Sequence, residues 1–309
     1  MNKSKLIGEI NRLRKEKNAV IMSHFYQTDD IQNIADKVGD SLALAQWTIQ
    51  TDADIIVLCG VHFMGETAKI LSPDKKVLIL DVEAGCSLAE SCPADKFEEF
   101  IKAHPDHTVI SYVNTTANVK ALTDIVVTST NAKKIIDQLP LDEKIIFGPD
   151  KNLGNYINKI TGRNMLLWDG ACHVHENFSI KKLIQLKEEH PDAVTIAHPE
   201  CPQSLLILAD FIGSTQDLLN YTTNSEHKKF LVATESGILY QMKKSNPDKM
   251  FIPVPPNDST SACNQCSYMR LNTLEKLYLC LKNESPEILI DETLRLKALK
   301  PIIKMLEMS

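Results

Sequence analysis

Val20-Ile21-Met22-Ser23-His24 decides how this chain is read, because its pattern returns twice. Thr108-Val109-Ile110-Ser111-Tyr112 and Val194-Thr195-Ile196-Ala197-His198 have the same form, a short apolar run closing on a polar or aromatic tip. Runs of this length, rich in β-branched residues, read as buried strands. The tips are 112 − 24 = 88 and 198 − 112 = 86 residues apart. Self-similarity at a near-constant period implies a repeated structural unit.

The same offsets hold downstream of the tips. Asp36, Asp124 and Asp210 fall in register, as do the hydroxyl residues Ser41, Ser129 and Thr215. Further on, Ile56-Val57-Leu58-Cys59-Gly60 matches Lys144-Ile145-Ile146-Phe147-Gly148 and Phe230-Leu231-Val232-Ala233-Thr234. A fourth strand follows each time: Val77-Leu78-Ile79-Leu80-Asp81, Met165-Leu166-Leu167-Trp168-Asp169, and Phe251-Ile252-Pro253-Val254-Pro255, whose prolines weaken it as a central strand. Helical spacing lies between strands, as in Ile31, Ile34, Ala35 and Val38 after the N-cap Thr28. Alternating strands and helices imply an α/β fold of three homologous repeats, each a small parallel sheet in an α-β-α sandwich. No flexible linker separates the repeats, so they are expected to pack tightly about a pseudo-threefold axis. The expected units are 1–84, 85–170 and 171–266, with the helical segment 267–309 packing back on the first. Sites in such units sit at the carboxyl ends of strands, where His24, Tyr112 and His198 fall.

After each fourth strand comes a cysteine: Cys86, Cys172, and then Cys263 or Cys266. A pseudo-threefold axis would bring three thiolates together, and such soft ligands suit an iron-sulfur cluster, zinc or cuprous copper. Three equivalent cysteines would leave one iron of a 4Fe-4S cubane open to a substrate oxygen, making the central cluster a Lewis acid. Structural zinc is the alternative, because Cys172-His173-Val174-His175 adds two imidazoles and Cys263 pairs with Cys266 in a C-x-x-C spacing. A redox role for that pair lacks the strand-to-helix context of a thioredoxin site. Cys59, Cys92, Cys201 and Cys280 have no repeat equivalents and read as buried thiols. His62, His104, His107, His190 and His227 read as ordinary polar residues, and Phe63 and Met64 as core.

Composition narrows the class. A chain of 309 residues with 43% hydrophobic content exceeds what one core usually serves. No apolar run reaches the length of about 18 that a membrane span needs, and Met1-Asn2-Lys3-Ser4-Lys5 opens no signal-peptide core, so a cytoplasmic protein is expected. A net charge of −6 removes the broad basic field that non-specific nucleic-acid binding depends on. Eight cysteines in a reducing compartment read as thiols or cluster ligands rather than structural disulfides.

Several motifs resemble the quinolinate synthase family and run along nearly the whole chain. They are Ser23-His24-Phe25-Tyr26-Gln27, Gly39-Asp40-Ser41-Leu42, Tyr112-Val113-Asn114-Thr115, Gly148-Pro149-Asp150-Lys151-Asn152-Leu153-Gly154, Cys172-His173-Val174-His175, His198-Pro199-Glu200-Cys201-Pro202 and Asn272-Thr273-Leu274-Glu275. The resemblance implies three similar α/β domains around a 4Fe-4S cluster on Cys86, Cys172 and Cys266, with Cys263 the lesser choice and a Cys263–Cys266 redox switch a further implication. It implies condensation of iminoaspartate with dihydroxyacetone phosphate to quinolinate on the route to NAD. It also implies a transient contact with L-aspartate oxidase, which no motif here supports. Substrate-binding positions carried over are His24, Ser41, Tyr112, Asn114, Ser129, His198, Glu200 and Thr215. Ser41, Ser129 and Thr215 precede expected helices, whose amides favour carboxylate or phosphate. Glu200 is the expected acid/base, its proton affinity raised by burial; Tyr26 and Tyr112 would donate to developing oxyanions, and His24 and His198 would orient substrate or relay protons. The rival classes are another cluster-dependent dehydratase and a non-enzymatic iron-sulfur or zinc sensor.

Overall fold

The computed structural model describes residues 1–257 and 264–309. In the first sheet, β1 (Ala19–His24), β2 (Lys37–Gly39), β3 (Ile55–Cys59) and β4 (Lys76–Ile79) lie in the order β2-β1-β3-β4. The second sheet, of β5 (Thr108–Tyr112), β6 (Ile125–Val127), β7 (Ile145–Gly148) and β8 (Leu166–Leu167), runs β6-β5-β7-β8. The third, of β9 (Val194–Ala197), β10 (Phe211–Ile212), β11 (Lys229–Ala233) and β12 (Met250–Pro253), runs β10-β9-β11-β12. Every pairing within these sheets is parallel, and the strand order is the same three times. The period in the sequence is therefore a repeated topology.

The apolar runs are continuous because each sheet is buried on both faces. Along β3, Ile55, Val57 and Cys59 pack with Leu6, Ile10, Leu13 and Leu277, whereas Ile56 and Leu58 pack with Leu42 and Phe63. Along β11, Leu231 and Ala233 take one face and Phe230 and Val232 the other. Fully burying a side chain such as Phe147 or Phe230 contributes about 1.5–3 kcal/mol each.

The repeated aspartates have one structural task. A carboxylate oxygen of Asp36 accepts the Ile21 amide at 2.8 Å, Asp124 accepts the Val109 amide at 2.8 Å, and Asp210 accepts the Thr195 amide at 2.7 Å. Each clip pins a short second strand to the first strand of its unit. Those second strands, β2, β6 and β10, are two or three residues long and leave no alternation to read in the sequence. The fourth strands are all at sheet edges, where Pro253 of β12 is tolerated.

The helix Leu274–Asn283 packs on the helix Lys3–Glu16 and on β3. The last helix, Glu292–Met308, instead lies against Ala117–Lys120, β6 and the helix His62–Leu71. The segment after residue 267 thus covers the first and second units, where the sequence assigned it to the first alone. Among the described residues, no helix is long and apolar enough to cross a membrane.

Candidate active site

The carboxyl ends of β1, β5 and β9 converge on one pocket. Strand-end residues His24, Tyr112 and His198 line it, with Tyr26, Asn114 and Glu200 from two residues further along each loop. Ser41, Ser129 and Thr215 line it too, as do Cys86, Cys172 and Cys266. All the residues singled out from the sequence meet here except Cys263, which lies outside the described residues. Ser41 and Thr215 are the first residues of the helices Ser41–Gln50 and Thr215–Asn224, capped by Asp40 and Ser214. Ser129 stands just ahead of Asn131, the cap of the short helix Ala132–Asp137.

His24 and His198 are held in the same way. The Nδ1 of His24 accepts the Tyr26 amide at 3.1 Å, and that of His198 accepts the Glu200 amide at 3.4 Å. Each Nδ1 is thereby an acceptor, which leaves Nε2 to carry the hydrogen of a neutral ring. The Nε2 of His198 is 3.3 Å from the Ser129 hydroxyl. Burial favours the neutral form of both, lowering His24 to about 4 and His198 to about 3 against the attraction of Glu200.

A buried polar chain crosses the pocket wall. The Tyr112 hydroxyl donates to Oε1 of Glu200 at 2.7 Å, and Oε2 of Glu200 lies 3.1 Å from Nδ1 of His175. The other ring nitrogen of His175 is 3.0 Å from the Thr234 hydroxyl, which is 2.8 Å from the Tyr26 hydroxyl. Tyr26 also reaches Thr215 at 3.0 Å. Burial, then the nearby Glu200 charge, raises both phenols well above the usual tyrosine range, so each is a neutral donor.

Glu200 departs from expectation. Burial raises its proton affinity, but His175, His198 and the Tyr112 hydroxyl outweigh it and hold the carboxyl down to about 2. The raised value expected from burial alone is incorrect, because His175 and His198 lie against the carboxylate and the Tyr112 hydroxyl donates to it. Glu200 is an ionised acceptor.

Two further groups stand outside the site expected from the sequence. Thr234 ends a quoted strand at a position occupied by Gly60 and Gly148 in the other repeats, so it alone carries a side chain there. Phe63 and Met64, assigned to the core, are buried and also line the pocket wall with Val61 and Met269. The Asn114 Oδ1 is buried without a partner among the described residues, an acceptor left for a ligand.

The cysteines have the chemistry of a metal site. Burial raises Cys86 to about 12 and Cys266 to about 11, and raises Cys172 well above the usual thiol range, with charge at the neighbouring thiols and Glu200 adding to it. Three thiolates are stable together here only beside a compensating cation. Ligand atoms of Cys172, His175 and Glu200 also lie within 4.8 Å of one another. His173 is not among them; it is exposed, with Nδ1 bonded to the Ser87 hydroxyl, so the two imidazoles of the zinc alternative do not converge.

The family model described as quinolinate synthetase A protein matches residues 8–307. The quinolinate synthase of Chloroherpeton thalassium is 57% identical over 304 residues, covering 98% of this chain and 94% of that protein. Those of Microcystis aeruginosa and Synechocystis sp. are 58% and 59% identical over 304 residues, each comparison covering 98% of this chain and 95% of the relative. Matches of this identity span all three repeats, and so this chain belongs to the quinolinate synthase family.

Proposed function

We propose that this chain condenses iminoaspartate with dihydroxyacetone phosphate to quinolinate, releasing phosphate and two waters, as a cytoplasmic step toward NAD. The bonds formed close a pyridine ring with no net change in oxidation state. One observation carries the reading: three cysteines line the same pocket as Glu200, His175 and Tyr26, the last two linked through Thr234. Cys86, Cys172 and Cys266 would hold a 4Fe-4S cluster, which when bound supplies Lewis acidity to a substrate hydroxyl.

The protein's own groups divide the remaining work. The first-turn amides of Ser41–Gln50 and Thr215–Asn224 and the hydroxyls of Ser41, Ser129 and Thr215 bind carboxylate and phosphate. Asn114 accepts from a substrate donor through its free Oδ1. Glu200, ionised, receives a proton through Tyr112, and Tyr26 delivers one from the hydroxyl that Thr234 links to His175. The neutral Nε2–H groups of His24 and His198 orient substrate oxygens. Phe63, Met64 and Met269 keep the reacting end apolar and limit water.

Cys172, His175 and Glu200 favour a second reading, a single metal ion such as zinc held by that trio. Anaerobic purification with iron, sulfide and zinc analysis separates the two, alongside an assay of quinolinate formation. About four irons and four sulfides, lost in Cys86→Ser, Cys172→Ser and Cys266→Ser, support the cluster. Stoichiometric zinc without iron-sulfur absorption after reconstitution overturns it.

A further inference from the structure

Gln32 and Lys120 occupy the same repeat position, 120 − 32 = 88 residues apart, and both are buried, with 2% and 0% of their surface exposed. The Nε2 of Gln32 donates to the carbonyls of Phe25 at 2.9 Å and Gln27 at 2.8 Å, seven and five residues back. The Nζ of Lys120 donates to the carbonyls of Val113, at 2.8 Å, and Thr115, again seven and five residues back. Between the clamped carbonyls lie Tyr26 and Asn114, themselves equivalent at 114 − 26 = 88. Two different side chains thus make one pair of hydrogen bonds to one loop.

The third repeat has Leu206 at this position, 206 − 120 = 86, and no donor. Its loop carries Glu200, the equivalent of Tyr26 and Asn114, between Pro199 and the Cys201-Pro202 pair. Proline rings lock φ and stiffen that loop without a brace. The Cys201 amide also closes onto the His198 carbonyl at 3.0 Å. An apolar residue is therefore compatible with the fold here, and a buried ammonium or amide is costly unless fully bonded. Where the prolines are missing, a donor takes their place. The Tyr26 loop is further confined because Gln32 also reaches the Gly237 carbonyl at 2.9 Å, and a Cβ on Gly237 would fall 2.7 Å from the Tyr26 carbonyl carbon.

We propose that Gln32 and Lys120 are positioning residues that clamp the peptides on both sides of Tyr26 and Asn114 and so hold these side chains toward the pocket. This rests on the pocket being the substrate site proposed above. The test compares Lys120→Leu, the residue of the third repeat, with Lys120→Gln, the residue of the first, in cluster-loaded enzyme. Lys120→Leu is expected to raise KM about tenfold with kcat little changed, while Lys120→Gln stays within about threefold of the parent. In an Asn114→Ala background the Leu substitution is expected to add nothing further, because its effect runs through Asn114.

A folded Leu variant with parental KM, or one whose full effect persists in the Asn114→Ala background, overturns the proposal. If the Leu variant does not fold, Lys120→Gln decides: parental KM supports the clamp, and a tenfold rise in a folded protein overturns it. Amide hydrogen exchange over residues 113–115 reads the clamp independently of turnover. Faster exchange there in Lys120→Leu but not in Lys120→Gln supports it even if the parent fails to make quinolinate, which would count against the proposed function alone. Unchanged exchange in Lys120→Leu overturns it.

Discussion

Thr234 joins two side chains that come from different units. Its hydroxyl stands between His175 and Tyr26, and it can pass a proton only because it bonds both. Thr234→Val keeps the shape and removes the link. The expected result is a fall in kcat of about a hundredfold, with KM unchanged; a raised KM with intact kcat in an anaerobic quinolinate assay would contradict it. Glu200→Gln replaces the ionised acceptor of Tyr112 with a neutral amide of the same size. A loss of about a hundred- to ten-thousandfold in kcat is expected, and parental turnover would remove Glu200 from the proton chain. Tyr26, Asn114 and Glu200 were legible because they lie in motifs that resemble those of the family. Thr234 was not, because its equivalents are glycines, which carry no chemistry to compare. The burial argument for Glu200 pointed the wrong way because it counted desolvation without the histidines that only folding brings near.

At the scale of the element, the repeated aspartates are clips rather than site residues. Asp124 accepts the Val109 amide and donates its own amide to the Val109 carbonyl at 2.9 Å, closing β6 onto β5. Asp124→Ala leaves a partly buried amide without its acceptor and is expected to cost about 1–3 kcal/mol, read as a lowered urea midpoint. Asp124→Asn keeps an acceptor oxygen and is expected to cost less; equal losses would show that charge rather than the hydrogen bond matters. The first, third and fourth strands could be read from their apolar runs, but β2, β6 and β10 could not. A strand of two or three residues has no periodicity, and its place is set by the aspartate beside it.

Across the whole molecule, the C-terminal segment ties the units together. Glu284, at the end of the helix Leu274–Asn283, pairs with Lys17 beyond the first helix and with Lys76 on β4. Hydrogen bonds from Lys17 and then Lys76 lower its carboxyl from 4.5 to about 2. A depressed folded value stabilises the protein above the unfolded value, and that contribution is lost as pH falls through the folded one. Glu284→Gln is therefore expected to lower the urea midpoint at pH 7 and to match the parent below about pH 2, the gap closing from about pH 4.5 downward. The three side chains are 22–38% exposed, so solvent screening keeps the effect to about 1 kcal/mol or less. A gap independent of pH would assign the loss to packing.

The sequence by itself determined the repeat, the α/β class and the equivalence of the three strand ends. Those properties rest on local patterning, which recurs wherever the same unit is built. Only the tertiary structure decided that Glu200 is ionised, that His175 rather than His173 faces it, and that the last helix spans two units. Each depends on short-range electrostatics or packing between residues far apart in the chain, and these act through distances that no local pattern specifies.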